Sequence, residues 1–257
     1  MVSVTAIIQA RMGSTRFPGK SLRPIAGLPL LEHIIIRLKQ VPEIDLILLA
    51  LPEKESEIPL VELARRLQIP VFQGSEDDVL GRFIKAGESV HTEQVVRVCG
   101  DDPLIDIPLL SSLVQAHLSD EADYTVPLEP VPLGSSGEVI RFETLQKIGE
   151  LAKGSIYREH VTTWFHDHPS DFKIKRVNAP DYLKGCSYRL TVDTEPDFLL
   201  IEELYKNLPH SPDSPLNLQK VIEYLDSHPE TSSLNIIFHR KTGVKKTYSF
   251  FRFLLKF

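Results

Sequence analysis

Short apolar runs alternate with helical patterns through the first half of the sequence, and this alternation constrains the fold more than any other feature. Four runs rich in Val, Ile and Leu have the length and composition of buried strands: residues 4–8, 44–51, 71–72 and 94–99. Four segments with helical signals alternate with them: residues 30–38, 55–68, from 76 onwards with Ser75 as its cap, and 107–118. A strand followed by a helix, four times over, predicts a parallel sheet covered by helices on both faces.

The sequence is less regular after residue 123, where prolines and glycines interrupt it. We predict a helix over residues 157–165 and a strand over residues 188–192, which ends at Asp193. A further helix is predicted from Glu195 to Leu208. No internal repeat is visible, so the less regular part is interpreted as an insertion on the sheet and not as an independent domain.

Length and composition fit one folded domain with a short extension. The chain has 257 residues, of which 42% are hydrophobic and 25% charged, as is ordinary for globular proteins. We predict a single α/β, Rossmann-like domain over residues 1–238, with a small insertion over residues 123–187. Residues 239–257 form a basic, aromatic tail that is too short to span a bilayer. It is expected to pack on the domain or a partner subunit, with weak contact to an anionic membrane surface as the alternative.

Charge and cysteine content exclude several classes of protein. The formal net charge of −6 argues against a broad nucleic-acid-binding surface. Cys99 and Cys186 form no CxxC pair, which leaves a disulfide framework or a zinc site without support. The sequence shows neither a signal-peptide pattern nor an apolar run of membrane-spanning length. We therefore expect a cytoplasmic protein without a transmembrane segment.

A basic loop follows the first predicted strand. It supplies four cations and no acid precedes Glu32; the cations are Arg11, Arg16, Lys20 and Arg23. Gly13 and Gly19 allow the backbone to approach a ligand closely, and Ser14 adds a hydroxyl. Because parallel sheets bind ligands at the carboxyl ends of their strands, this loop predicts a cradle for a triphosphate. We call residues 9–23 the phosphate loop. A solvated basic surface loop is the alternative.

Two familiar phosphate motifs are absent from this loop. A Walker A loop has four residues between its glycines, whereas Gly13 and Gly19 are separated by five. No GxGxxG follows the first strand, so the dinucleotide fingerprint is missing as well.

Two aspartates follow predicted strands and are candidates for a metal site. Asp101 follows the run at residues 94–99, and Asp193 follows the run at residues 188–192. Mg²⁺ is commonly bound by one or two carboxylates together with phosphate oxygens, so Asp101 and Asp193 facing the phosphate loop predict a magnesium site. Asp102 is a third candidate. The alternative is that these aspartates only cap the helices that follow them.

Five blocks of sequence, in order, resemble the cytidylyltransferases. They are residues 7–38, IIQARMGSTRFPGKSLRPIAGLPLLEHIIIRL, then residues 72–80, 100–104, 158–162 and 189–194. The resemblance is greatest to the spore coat polysaccharide biosynthesis protein F family, with the 3-deoxy-manno-octulosonate and N-acetylneuraminate cytidylyltransferases as more distant relatives. It implies a nucleotide-diphospho-sugar transferase fold, and transfer of CMP from CTP to a sugar acid with release of pyrophosphate, for surface polysaccharide biosynthesis. It also implies a homodimer formed through the insertion.

The resemblance assigns roles to residues of this sequence. The implied nucleotide-binding residues are Gln9, Ala10, Arg11, Gly13, Ser14, Arg16, Lys20, Gln73, Ser75 and Asp78. Among them, Arg11, Arg16 and Lys20 would stabilise the charge that gathers on the leaving pyrophosphate, and Mg²⁺ held by Asp101 and Asp193 is the implied cofactor. The residues near Gln73, Ser75 and Asp78 would lie beside the cytosine.

The acceptor site is the least specified. Its candidate residues are Glu138, Arg158, His160 and Arg189. An arginine suits the carboxylate of a sugar acid, although Arg158 and Arg189 are equally consistent with ion pairs on a helix surface. Three further functions stay open: a nucleotidyltransferase that uses another nucleotide or a neutral sugar, a catalytically silent nucleotide-binding subunit, and a glycosyltransferase, whose usual Asp-x-Asp metal motif is absent.

Overall fold

A computed structural model describes residues 2–235. The strands are β1 (Val4–Gln9), β2 (Pro24–Ile25), β3 (Leu28–Pro29), β4 (Leu46–Pro52), β5 (Val71–Gly74), β6 (Gln94–Cys99), β7 (Tyr124–Pro127), β8 (Glu138–Arg141) and β9 (Ile174–Val177). The helices are α1 (Leu30–Leu38), α2 (Ile58–Arg66), α3 (Val79–Ser89), α4 (Ile107–Asp120), α5 (Phe142–Leu151), α6 (Ser155–Glu159), α7 (Thr163–Asp167), α8 (Glu195–Asn207), α9 (Leu218–Ser227) and α10 (Pro229–Ser232). The predicted tail, residues 239–257, lies outside the described residues. Within residues 2–235, every helix is too short or too polar to cross a membrane.

Seven strands form one mostly parallel sheet in the order β5-β4-β1-β6-β8-β7-β9. Strands β5, β4, β1 and β6 are parallel to one another, and these are the four strands of the predicted strand-helix repeat. Strand β8 is antiparallel to both β6 and β7, while β9 is parallel to β7. Residues 123–187 therefore contribute three strands to the main sheet. The predicted α/β class with a mostly parallel sheet is confirmed.

Side chains of the central strand are buried on both faces of the sheet. In β1, Ala6 and Ile8 pack in a cluster with α1, α2, α4, α8 and α9, whereas Ile7 packs in a second cluster with α3, α5 and α7. Successive side chains of a strand point to opposite faces, so two covered faces require a continuous apolar run. This explains the near absence of polar residues in β1 and β4, and it confirms that helices cover both faces.

Three local predictions were wrong. The helix predicted over residues 157–165 is two short helices, α6 and α7, and the helix predicted from Glu76 begins at Val79, with Asp78 as its cap. Within residues 2–235, the predicted strand at residues 188–192 forms only one bridge, between Leu133 and Arg189. Pairing stops there because Gly134 turns the neighbouring segment with a φ of 89°, close against the backbone of Thr191.

Candidate active site

The loop after β1 is anchored from inside and leaves three of its four cations exposed, Arg11, Arg16 and Arg23, while Lys20 is buried. The backbone amides of Ser14 and Gly19 both donate to the carbonyl oxygen of Met12, at 2.9 and 3.0 Å. The Phe17 ring is buried and packs against Phe198, with 5.6 Å between ring centroids. The loop is therefore held by its own backbone and by one aromatic anchor, and is not a loosely solvated surface loop.

Lys20 joins three segments of the chain at the carboxyl edge of the sheet. Its Nζ donates to Asp101 Oδ2 at 2.8 Å, to Asp193 Oδ1 at 3.4 Å and to the carbonyl oxygen of Val192 at 2.7 Å. Burial acts to lower the pKa of Lys20, but the charges of Asp101 and Asp193 outweigh it and raise the pKa above its ordinary value. Lys20 therefore stays charged and holds the two carboxylates together.

The segment that carries Asp193 is hydrogen-bonded to the loop after β6. The amide of Val192 donates to the carbonyl oxygen of Asp101 at 2.8 Å, and the Thr191 hydroxyl donates to the same oxygen at 3.3 Å. From the phosphate loop, Arg16 pairs with Asp193 at 2.8 Å. The structure thus brings together Arg16, Lys20, Asp101 and Asp193, which are up to 177 residues apart in sequence.

Asp193 does not cap the helix that follows it. Helix α8 has Thr194 as its N-cap, and the amide of Thr194 donates to Asp197 Oδ2 at 2.9 Å. The Asp193 carboxylate turns instead toward Arg16, Lys20 and Arg189. The capping alternative is therefore wrong for Asp193.

The donor set at Asp101 and Asp193 fits Mg²⁺. Both residues offer carboxylate oxygens, the ligands this ion prefers, and a single ammonium nitrogen spans one oxygen of each. Cys99 and Asp102 each place a ligand atom within 4.8 Å of one from Asp101. Burial raises the pKa of the Cys99 thiol, and burial together with the charge of Asp101 raises the pKa of Asp102. Asp101 and Asp193 are the two carboxylates that face Lys20, and this placement makes them the pair best suited to a hard divalent cation.

The residues expected beside the base lie at the end of β5 and in the loop that follows it, at the same edge of the sheet. Gln73 and Ser75 are exposed, and the Ser75 hydroxyl accepts a hydrogen bond from the amide of Asp78 at 3.1 Å. Asp78 accepts from the amide of Gly81 at 2.8 Å and also pairs with Arg158. Its carboxylate thus caps α3 and joins it to α6, and a contact between Asp78 and a base stays a prediction.

The acceptor candidates divide into a buried group and an exposed one. Glu138, at the start of β8, is 8% exposed and binds Arg97 and the hydroxyl of Tyr124. Burial acts to raise the pKa of Glu138, but the charge of Arg97 prevails and lowers it. His160 is exposed between α6 and α7. Arg189 pairs with Asp193 and Asp197 instead of lying on a helix surface.

Arg97 is a residue of this site that the sequence analysis missed. Its guanidinium binds Glu138 and also donates to Gln9 Oε1 at 3.4 Å, which links β8 to the end of β1. The signal was present in the sequence, because Arg97 is the only charged residue in the apolar run of β6. A buried charge in a central strand requires a partner, and here that partner is Glu138.

Comparison with known proteins agrees with this geometry. A family model described as cytidylyltransferase matches residues 5–221. The spore coat polysaccharide biosynthesis protein SpsF of Bacillus subtilis is 36% identical over 238 residues, which cover 91% of this chain and 98% of that protein. A 3-deoxy-manno-octulosonate cytidylyltransferase of Trichlorobacter lovleyi is more distant, at 26% identity over 121 residues and 46% of each chain. The solved structure of a cytidylyltransferase from Leptospira borgpetersenii superposes with a TM-score of 0.83 at 25% identity, covering 90% of this chain and 97% of that one.

Clustered cations and two carboxylates at the carboxyl edge of the sheet, together with the matching family model, identify the class of protein as a nucleotidyltransferase. The chain belongs to the cytidylyltransferase family, since the matching model spans most of its length and the B. subtilis relative aligns along nearly all of both chains. The predicted resemblance and the predicted enzyme class are both confirmed.

Proposed function

We propose that this protein transfers CMP from CTP to a hydroxyl of a sugar acid and releases pyrophosphate, as a step in surface polysaccharide biosynthesis. The observation that carries the proposal is the convergence at Lys20, whose Nζ contacts both Asp101 and Asp193 beside Arg16 of the phosphate loop. Membership of the cytidylyltransferase family supports CTP as the donor. The polysaccharide context is supported by the printed name of the B. subtilis relative.

The cations of the loop would change partners when the nucleotide binds. Arg16 and Lys20 contact carboxylates of the protein, and Arg11 lies 4.0 Å from Glu76 with half of its side chain exposed. A triphosphate offers these groups stronger, charge-assisted partners. Arg11, Arg16 and Lys20 would then stabilise the negative charge that develops on the leaving pyrophosphate.

Magnesium is part of the proposal, with Asp101 and Asp193 as its ligands. Asp101 and Asp193 would hold the ion beside the triphosphate, where its positive charge would reduce the repulsion between the phosphate oxygens and the attacking hydroxyl. The carboxylates that Lys20 and Arg16 release would be the groups that accept the ion. Positioning and electrostatics thus supply the catalysis, and no covalent intermediate on the protein is required.

A neutral sugar is the second candidate acceptor, because of the partners of two arginines. Arg158 binds Asp78 and the carbonyl oxygen of Gly149, while Arg189 binds Asp193 and Asp197. A sugar carboxylate would have to compete with these carboxylates for either guanidinium. The negatively charged Glu138 also lies near the end of β1, because Arg97 contacts both Glu138 and Gln9.

Pyrophosphate release separates these possibilities. The full-length enzyme is incubated with Mg²⁺, each of the four nucleoside triphosphates, and matched panels of sugar acids and neutral sugars. The proposal expects turnover with CTP and at least one sugar acid. Turnover only with neutral sugars would replace the acceptor and keep the donor, whereas turnover with another nucleotide alone would overturn the cytidylyl assignment. Analytical ultracentrifugation of the same sample tests the homodimer that we also propose.

A further inference from the structure

Asn235 contacts the segment that carries Asp193. Its side chain is buried, with 1% exposure. Its Nδ2 donates to the carbonyl oxygen of Arg189 at 3.0 Å and to Asp197 Oδ1 at 3.0 Å, across 46 and 38 residues of sequence. Asn235 lies beyond residues 5–221, the segment that the family model matches. One amide group therefore joins the two ends of the segment 189–197.

Asp193 lies inside this segment, and the partners of Asn235 orient both its backbone and its carboxylate. Asp197 is fully buried and its Oδ2 accepts from the amide of Asp193 at 3.1 Å. Arg189 donates from Nε to Asp197 Oδ1 at 3.1 Å, and its Nη2 contacts the Asp193 carboxylate. The contacts run in series from Asn235 through Arg189 and Asp197 to Asp193.

We propose that Asn235 is a positioning residue that sets the Asp193 carboxylate for binding the divalent cation. This inference rests on the proposed function, because it takes Asp193 as a metal ligand. Groups behind a metal ligand fix its orientation, and their loss typically weakens metal affinity 10–100-fold. The amide of Asn235 contacts the backbone of Arg189 and the buried Asp197, so its loss would reach Asp193 through these two residues.

The test replaces the amide in the full-length chain. Asn235→Asp places an oxygen against the Arg189 carbonyl and the Asp197 carboxylate, and Asn235→Ala removes both hydrogen bonds with little else changed. Thermal unfolding is followed at saturating CTP while Mg²⁺ is titrated, and Mn²⁺ bound in the presence of CTP is measured by water proton relaxation. We expect the half-saturating metal concentration to rise by about tenfold, with CTP affinity in EDTA unchanged.

Asn217→Ala is the matched control. Asn217 is the same residue type in the same part of the chain, and it caps α9 by accepting from the amide of Lys220 at 3.1 Å. Losing this cap lowers stability but should leave metal dependence at the wild-type value.

The outcomes separate the inference from the proposed function. If Asn235 has only a structural role, its variants unfold at lower temperature with wild-type metal dependence, as the control does, and the inference is overturned. If Asn235→Asp does not fold, Asn235→Ala decides the matter. A wild-type enzyme that shows no metal-dependent stabilisation with CTP would instead contradict the proposed function itself.

Discussion

The two halves of this molecule build their parts of the site in different ways. In residues 4–120, the cations and Asp101 lie in loops directly after parallel strands, and those loops are held largely by their own backbone and by neighbouring strands. In residues 123–235, Asp193 lies in an irregular segment that the buried charge of Asp197 and the side chains of Arg189 and Asn235 hold in place. Regular strands position the cations and Asp101, whereas a network of polar side chains positions Asp193.

This difference shows where each half is vulnerable. A strand-end loop is defined by many backbone hydrogen bonds, so no single side chain orients it. A segment held by a buried network depends on each member, because removing one partner leaves another buried charge or polar atom unsatisfied. We therefore expect sharper responses to substitution around Asp193 than around the glycines of the phosphate loop.

The largest expected effect is at Asp193 itself. Asp193→Asn removes a charged metal ligand, and we expect turnover to fall by about a thousandfold, consistent with the several kcal/mol that metal stabilisation contributes. Metal-free binding of CTP should hold or improve, because a carboxylate that repels triphosphate is gone. The measurements are turnover against Mg²⁺ concentration and CTP affinity in EDTA.

Asp101→Asn is the matching variant from the other half of the molecule. Both aspartates would serve one ion, so their metal dependence should change alike. Wild-type Mg²⁺ dependence in Asp193→Asn would refute the two-aspartate site and leave the metal ligands in the first half alone.

The next largest effect is expected at the contact between the two halves. His117 of α4 is buried and bonds to Thr125 of β7 at 2.8 Å and to Gln94 of β6 at 2.9 Å. Burial, with the charge of Arg141, lowers the pKa of His117 from 6.5 to about 4. The unfolded chain then binds a proton that the folded chain does not, so the free energy of unfolding should fall by about 3 kcal/mol as pH drops from 6.5 to 4.

Chemical denaturation at a series of pH values measures this loss. In His117→Gln, which keeps hydrogen-bonding capacity but does not titrate, the dependence between pH 6.5 and 4 should become shallower. His91→Gln, at an exposed position, should leave it unchanged. Equal slopes in the wild type and His117→Gln would show that another group is responsible.

Lys20 connects the two halves of the molecule, and its removal should lower turnover by at least about tenfold. The reason is that a fixed cation on a developing phosphate charge contributes more than about 1 kcal/mol in a site shielded from water. The affinity for CTP should fall as well. Steady-state kinetics of Lys20→Ala are compared with those of Lys147→Ala, whose exposed side chain pairs with Glu143 on α5. Unchanged kinetics in Lys20→Ala would mean that the loop does not hold the triphosphate.

The smallest expected effect lies within the first half. A Cβ at Gly13 would meet nothing within 4 Å, so Gly13→Ala should change the free energy of unfolding by less than about 0.5 kcal/mol. Its affinity for CTP should still fall if phosphate oxygens approach this backbone.

Gly100→Ala provides the contrast to this variant. Its Cβ would lie 2.7 Å from Ala10 Cβ and 2.8 Å from the carbonyl oxygen of Gln9, so it should cost about 1–3 kcal/mol of stability. Chemical denaturation measures the free energy of unfolding, and calorimetry measures the affinity for CTP. A fully stable Gly13→Ala with wild-type CTP affinity would remove Gly13 from the nucleotide site.

Local sequence pattern was sufficient for the strands of the first half, while the anion-binding chemistry of the loop stays a prediction. Strands buried on both faces need continuous apolar runs, so β1, β4 and β6 were predictable within a few residues. The clustering of Arg11, Arg16 and Lys20 after β1 pointed to an anion-binding loop, because parallel strands end at one edge. The strand predicted over residues 188–192 did not form, since a pattern of apolar residues indicates burial and does not specify a hydrogen-bonding partner.

Only the tertiary structure decided which partners the charged groups have. Whether Asp193 caps a helix or faces the crevice depends on Lys20 and Arg16, more than 170 residues away in sequence. The pairing of Arg97 with Glu138 and the contacts of Asn235 with Arg189 and Asp197 also join residues that are distant in sequence, 38 to 46 residues apart. Periodicity and caps are properties of neighbouring residues and can be recognised in sequence. The choice of one partner among many charges is made by packing, because burial makes an unpaired charge too costly to retain.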